Sequence, residues 1–261
     1  MPRRSGCFVG LRMRIEDSPS PNHGPRVAGG PIDILLLHYT GMQTAEGALN
    51  WLCDERSKVS GHYFVFENGR VAKLVDEERR AHHAGVSFWA GETDINSRSI
   101  GIEIANPGHE YGYPPFPDAQ IDALILLCRG ILARHPIPPE RVLAHSDVAP
   151  LRKQDPGELF PWRRLYAEGI GHYVAPAPIR PGPAFSQGDS GEMVRLLKNR
   201  LRQYGYGLSE TKDFDAETKV VVTAFQRHFR QERVDGIADL STVQTLDSLV
   251  RSLRPRGFGI S

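Results

Sequence analysis

The chain has 261 residues, with 32 Lys+Arg against 31 Asp+Glu, a formal net charge of +1, 40% hydrophobic and 24% charged residues. That length holds one large domain or two ordinary ones, and the apolar content suffices for a sizeable core. The balanced charge excludes a protein working by bulk attraction to nucleic acid or anionic membrane, and no apolar run approaches the ~18–20 residues of a transmembrane segment. What stands out is 26 Gly and 20 Pro, so their placement along the chain matters first.

Residues 1–26 are rich in Arg, Pro, Ser and Gly without apolar periodicity, and are expected to be an N-terminal extension, disordered or wrapping. Residues 6–11 are too short an apolar run for a secretory signal and are followed at once by Arg12 and Arg14; Cys7 lacks the preceding apolar stretch of a lipoprotein. Residues 32–37 predict a buried strand ending at His38, and 44–53 a helix. Residues 63–67 and 71–75 flank Asn68-Gly69, which predicts a hairpin because that pair tolerates positive φ. Residues 99–105 alternate as a strand, 118–134 read as an amphipathic helix followed by Pro136, Pro138 and Pro139, and 141–144 predict a short strand ending at His145. Strands interleaved with helices give an α/β class with a mixed sheet flanked by helices, over 27–173.

Residues 174–185 read VAPAPIRPGPAF, which cannot be helical and predicts an extended linker, taken over 174–187. Beyond it, 188–253 carries three helical patterns and predicts a small bundle: Val194, Leu197, Leu201 and Tyr204 on one stripe with Asp189 as cap, Val221, Ala224, Phe225 and Phe229 on a second capped by Asp215, and Val243, Leu246 and Leu249 on a third. His228 is expected on the helix surface, and 254–261 as a tail. The three cysteines, Cys7, Cys53 and Cys128, are widely spaced and form no disulfide framework; Cys128 is expected in the core.

His38 and His145 each end a short apolar strand, where sites collect in α/β folds, and Asp155 follows His145 by ten residues. Two imidazoles and one carboxylate leave an open position, the pattern of a catalytic zinc site. Ten histidines offer many accidental triples, so spacing alone does not single this set out. The strand SIGIEIA adds weight: Ile100, Ile102 and Ile104 share one face, while Gly101, Glu103 and Ala105 share the other, leaving space above a carboxylate suited to act as a base.

The blocks LLLHYTG (35–41), SGHYFVFENG (60–69), AHHAG (81–85), SIGIEIAN (99–106) and AHSDVAPLRKQDPG (144–157) together resemble the zinc-dependent N-acetylmuramoyl-L-alanine amidases of the amidase-2 family, related to peptidoglycan recognition proteins and phage T7 lysozyme. The resemblance implies one zinc per chain on His38, His145 and Asp155, with Glu103 as the acid–base group and Lys153 beside the oxyanion. It implies substrate contacts at His83, Tyr63 and Asn96, and a supporting role for His62. The chain departs from the family at His82, where an aromatic residue is common. The blocks GDSGEMVRLLKNRLRQYGYGL, FDAETKVVVTAFQRHF and VDGIADLSTVQTL resemble the type 1 peptidoglycan-binding domain.

The activity so implied is hydrolysis of the amide between the lactyl group of N-acetylmuramic acid and L-alanine in peptidoglycan or muropeptides, with no nucleic-acid partner. The alternatives are a non-catalytic muropeptide recognition protein, against which the complete ligand set with Glu103 and Lys153 speaks, and an amidase recycling 1,6-anhydro-muropeptides in the cytoplasm. The wall-binding module favours the periplasm or cell envelope; the missing signal peptide favours the cytoplasm.

Overall fold

The computed structural model describes residues 14–27 and 30–253; Cys7, the 6–11 run and the tail from 254 lie outside the described residues. In chain order the elements are β1 (Ile15–Asp17), β2 (His23–Pro25), β3 (Ile34–Tyr39), α1 (Ala45–Leu52), β4 (Tyr63–Val65), β5 (Val71–Lys73), β6 (Arg79–Ala81), α2 (Ile95–Arg98), β7 (Ser99–Ile104), α3 (Asp118–Arg134), β8 (Val142–Ala144), α4 (His145–Val148), α5 (Trp162–Ala167), β9 (Ala184–Phe185), α6 (Glu192–Tyr204), α7 (Ala216–Phe229), β10 (Ala238–Asp239) and α8 (Leu240–Ser252). The main sheet has the order β1-β5-β4-β7-β3-β8. It is mixed as expected: β4, β7, β3 and β8 run parallel, while β5 turns back antiparallel on β4 across Asn68-Gly69.

Strand β3 lies inside the sheet, and Ile34 to Leu37 are all fully buried because both faces are covered, which is why the run is continuously apolar. On one face Leu35, Leu37, Ile100, Ile102 and Ile104 meet α3 through Leu124, Cys128 and Ile131. On the other, Phe64, Ala72 and Ala105 lie with Ala45, Ala48 and Leu52 of α1. Thr44 caps α1 with its side chain on the Gly47 N–H.

The N-terminal extension wraps rather than dangles over its described part. β1 adds a parallel edge to β5, and β2 pairs antiparallel with β6. The Arg26 guanidinium enters the body of the domain and donates to the carbonyls of Asn96, Ser97 and Ser99 at 2.9–3.1 Å.

The C-terminal helices form the expected bundle, with two corrections at its ends. Asp189 does not cap α6: its carboxylate accepts from the Ser186 N–H, and the cap position is Gly191. The bundle also carries a two-stranded ribbon, β9 with β10, which two-residue strands cannot announce by periodicity. Asp215 caps α7 as expected, on the Thr218 N–H at 2.8 Å.

The bundle is docked on the N-terminal α/β domain. Ile34, Leu36, Leu143, Val148 and Ala149 share one apolar cluster with Val221, Phe225, Phe229 and Leu249. Trp89 reaches into this cluster beside Gly205, where any Cβ would lie 2.5 Å from the indole, so glycine is required there. The Pro-rich segment runs along α8, with Ala177 N–H donating to Thr245 Oγ1 and Ser241 Oγ donating to the Ala177 carbonyl. These two bonds hold the segment at Ala177, while most of the rest of it is exposed.

Candidate active site

Parallel strands deliver the site to the carboxyl-end side of the sheet. His38 is paired in register with Glu103 across β3 and β7, and His145 follows directly on β8, which lies against the other side of β3. Asp155 arrives from the loop after α4, tied to that helix by the Ser146 N–H on the Asp155 carbonyl at 3.0 Å. His38 Nδ1, His145 Nδ1 and Asp155 Oδ2 then converge: 2.9 Å between the two nitrogens, 3.0 Å from His145 and 3.3 Å from His38 to the carboxylate oxygen. These three buried residues form a group able to hold a metal ion.

The hydrogen bonds around the triad decide whether a cation fits. His145 Nε2 lies 3.2 Å from the Ala84 carbonyl, which only accepts, so Nε2 carries the proton and Nδ1 is bare. For His38 the choice is made further out. Ser99 Oγ donates to the Ile95 carbonyl at 2.6 Å and so accepts from His83 Nε2 at 3.2 Å. His83 Nδ1 is then the acceptor for His38 Nε2–H at 3.0 Å, and His38 Nδ1 is also bare. Two lone pairs and a carboxylate oxygen facing one another without a proton repel; a divalent cation is what this donor set fits. Burial first, then the neighbouring His145, holds the His38 pKa down at about 4, and His83 is lowered well below its ordinary value by burial and the imidazoles around it.

Glu103 points toward the same cavity, about 230 Å³, which it lines with the triad and Lys153. The cavity is also lined by the apolar Met42, Trp51 and Leu52 and by His82. Burial and then Asp155 push the Glu103 pKa up to about 8, with Lys153 pulling the other way; a cation on the triad would add to that pull. The space expected above Glu103 is only partly open. Over Gly101 it is filled by the His83 ring, which a Cβ would meet at 2.5 Å. Lys153 is exposed at the rim and borders a second polar cavity of about 240 Å³ with His109 and Gln154.

The remaining sequence-derived positions divide. His83 borders the cavity, and its ring also holds His38. His62 supports the site from behind: its Nδ1 accepts from the Gly101 N–H at 2.9 Å, and its Nε2 lies 3.0 Å from Arg26 Nη2 and 3.1 Å from the Arg79 carbonyl. Tyr63 and Asn96 do not face the cavity. Tyr63 lies on the α3 side of the sheet because strand residues alternate, and its hydroxyl donates to Glu77. Asn96 Oδ1 accepts from the His83 and Ala84 N–H groups at 3.0 and 2.8 Å, holding the segment that orients both imidazoles. His228 is not a surface residue: it is 3% exposed, stacked on Trp162 with ring centroids 3.7 Å apart, with Nδ1 2.7 Å from Asp147 Oδ2. Sequence reading missed Ser99 and Asp147 as supports, although both lie inside the motif blocks.

A family model described as N-acetylmuramoyl-L-alanine amidase matches residues 28–158, and one described as putative peptidoglycan binding domain matches 190–246. The N-acetylmuramoyl-L-alanine amidase AmiD of Escherichia coli is 38% identical over 84% of this chain and 82% of its own length. The chain belongs to the N-acetylmuramoyl-L-alanine amidase family. Two solved structures share the amidase fold at high coverage. AmiD, in complex with the substrate anhydro-N-acetylmuramic acid-L-Ala-D-γ-Glu-L-Lys, has a TM-score of 0.73 over 86% of this chain and 91% of that one. AmpDh3 of Pseudomonas aeruginosa, in complex with an anhydromuramic pentapeptide, has a TM-score of 0.70 at 32% identity over 90% and 95%. This amidase shares their mixed sheet flanked by helices and acts on the bond between N-acetylmuramic acid and L-alanine. No helix among its described residues is long and apolar enough to cross a membrane.

Proposed function

We propose that this amidase holds one zinc ion on His38, His145 and Asp155 and uses Glu103 and Lys153 as its catalytic groups. The observation that carries the reading is the convergence of two bare imidazole nitrogens and a carboxylate beside a buried glutamate. Zinc, when bound, supplies Lewis acidity to the scissile carbonyl and to the attacking water. Glu103 accepts the proton that the water loses and delivers it to the alanine nitrogen as the C–N bond breaks. Lys153 donates to the oxygen that gains charge as the carbonyl becomes tetrahedral. The products balance as a muramic acid carboxylate and a free alanine amino group. The two-part division, 27–173 for catalysis and 188–253 for holding the wall polymer, goes with this reading, and the wall-binding match favours the envelope as its place of action. Because AmiD and AmpDh3 were both solved with anhydro-muramoyl peptides, soluble anhydro-muropeptides are proposed as substrates alongside the polymer.

The test is incubation of purified anhydro- and ordinary muropeptides with the enzyme, products read by mass. Release of intact stem peptide, abolished by chelator and restored by zinc, is expected. Glu103→Ala is expected to retain zinc and lose on the order of 10²–10⁴ in turnover. Near-native turnover in that variant removes Glu103 from the mechanism, and chelator-resistant cleavage removes the metal.

A further inference from the structure

The C-terminal bundle touches the α4 turn that carries His145, the loop that carries Asp155, and the segment 84–90 that orients His145. Asp147 lies two residues beyond His145 and is 1% exposed. Its Oδ2 caps the Ala144 N–H, directly ahead of His145, at 2.8 Å, and lies 2.7 Å from His228 Nδ1; its Oδ1 accepts from Tyr206 Oη at 2.6 Å. Tyr206 and His228 both belong to the bundle, and the Trp162 ring stacked on His228 fixes the plane from which Nδ1 is aimed. A buried carboxylate with only a backbone N–H for company is costly, so the two bundle side chains determine where the α4 turn sits.

The loop bearing Lys153 and Asp155 leans on the same helix. Arg227 Nη2 donates to Gln154 Oε1 at 3.3 Å, and Gln231 Nε2, just past α7, donates to the carbonyls of Glu158 and Phe160 at 2.7 and 2.8 Å. The third segment is 84–90. Ala84 supplies the carbonyl that orients His145, while Trp89 fills the notch at Gly205 and the Ala90 N–H donates to the Gly205 carbonyl at 2.8 Å.

We infer that the C-terminal domain positions His145 and Asp155, through Tyr206 and His228 on Asp147 and through Arg227 and Gln231 on the 154–160 loop, so that the affinity of the site for metal depends on the wall-binding domain. Resting on the ligand assignment above, the inference extends it: the domain carries a positioning function in addition to any contact with the wall. Rigidly held outer partners typically change metal affinity by 10–100-fold.

The test uses the full chain and the metal alone. Zinc affinity is measured by competition with a chromophoric chelator for the wild type, Tyr206→Phe, His228→Ala and His228→Asn, at a temperature where circular dichroism shows each folded. Tyr206→Phe and His228→Ala are expected to bind zinc roughly tenfold more weakly, with activity on a soluble muropeptide falling at limiting zinc, recovering at excess, and KM unchanged. His228→Asn, whose amide still donates from the position of Nδ1, is expected to restore most of the affinity. A purely structural contact would lower the melting temperature and leave zinc affinity within about twofold of wild type in both variants, and that result overturns the inference. Should His228→Ala not fold, Tyr206→Phe, which removes one hydroxyl, decides alone. A wild type that binds no zinc overturns the ligand assignment instead, so the two failures are distinct.

Discussion

A neutral imidazole has one proton and two nitrogens, and for His38 the choice between them is made at Ser99, two side chains away. If that chain sets the tautomer, Ser99→Ala leaves His83 Nε2 without its acceptor. His83 then gains nothing by keeping its proton there, and with Nδ1 protonated it would turn His38 Nδ1 into a donor facing the metal position. Zinc affinity is expected to fall on the order of tenfold with little change in fold, and isothermal titration with zinc measures it. An unchanged affinity means the tautomer is fixed by the metal itself. The sequence made His38 and His145 visible because each ends an apolar run, and Glu103 because its face of the strand is otherwise small. Ser99 was not visible: a serine opening a strand carries no periodic signal. Tyr63 was misplaced although alternation is readable, since it shares the face of Ile102 rather than that of Glu103.

Elements were legible in proportion to their length and their turn chemistry. α3 runs Asp118–Arg134, the full length that its pattern and the following prolines delimit, and the Asn-Gly hairpin stands where two runs flank it. The three-residue strands β1, β2 and β6 were not legible, because pairing alone makes them strands. What ties such pieces together is Glu77, ahead of β6: its carboxylate accepts from Tyr63 on β4, from Arg134 at the end of α3 and from His135, and its carbonyl accepts from Arg26. Burial alone would raise its pKa, but the hydrogen bonds from Arg134, His135 and Tyr63 prevail and hold it at about 2, against 4.5 for a free glutamate. A carboxyl lowered on folding stabilises fully above its unfolded value and loses that contribution as pH falls toward the folded one. His62 acts in the same direction: burial and Arg26 lower its pKa to about 3 from 6.5, so protonation favours the unfolded chain below 6.5. Melting temperature is therefore expected to fall as the solution is acidified from neutrality. The gap between wild type and Glu77→Gln should be full above pH about 4.5 and close toward pH about 2. A gap that is constant across that range would show that Glu77 is not held ionised by its partners.

At the scale of the whole molecule, a proline-rich joint suggested two modules on a tether, and that is where sequence reasoning was furthest from the structure. Composition reports that a segment cannot be helical; it does not report whether neighbouring surfaces meet. Here they meet through a single apolar cluster running from Ile34 and Leu36 of the sheet to Phe225 and Leu249 of the bundle, through Trp89 beside Gly205, and through the buried Asp147. Separating the halves would expose that cluster and strip Asp147 of two partners, so neither half gains by unfolding first. Apolar burial contributes roughly 25 cal/mol per Å², and a cluster of fully buried side chains shared between halves is enough to couple them. Scanning calorimetry of the full chain is accordingly expected to show one transition, with calorimetric and van't Hoff enthalpies in agreement. Tyr206→Phe should move that transition down in temperature without splitting it, since it removes one hydrogen bond and leaves the shared cluster whole. Trp89→Ala is the sharper probe: emptying the space beside Gly205 removes the largest side chain of the shared cluster. If the halves are coupled through this cluster, the variant should broaden or resolve the transition into two. Two transitions already present in the wild type would instead mean that the halves melt independently and that the docked arrangement contributes little to stability.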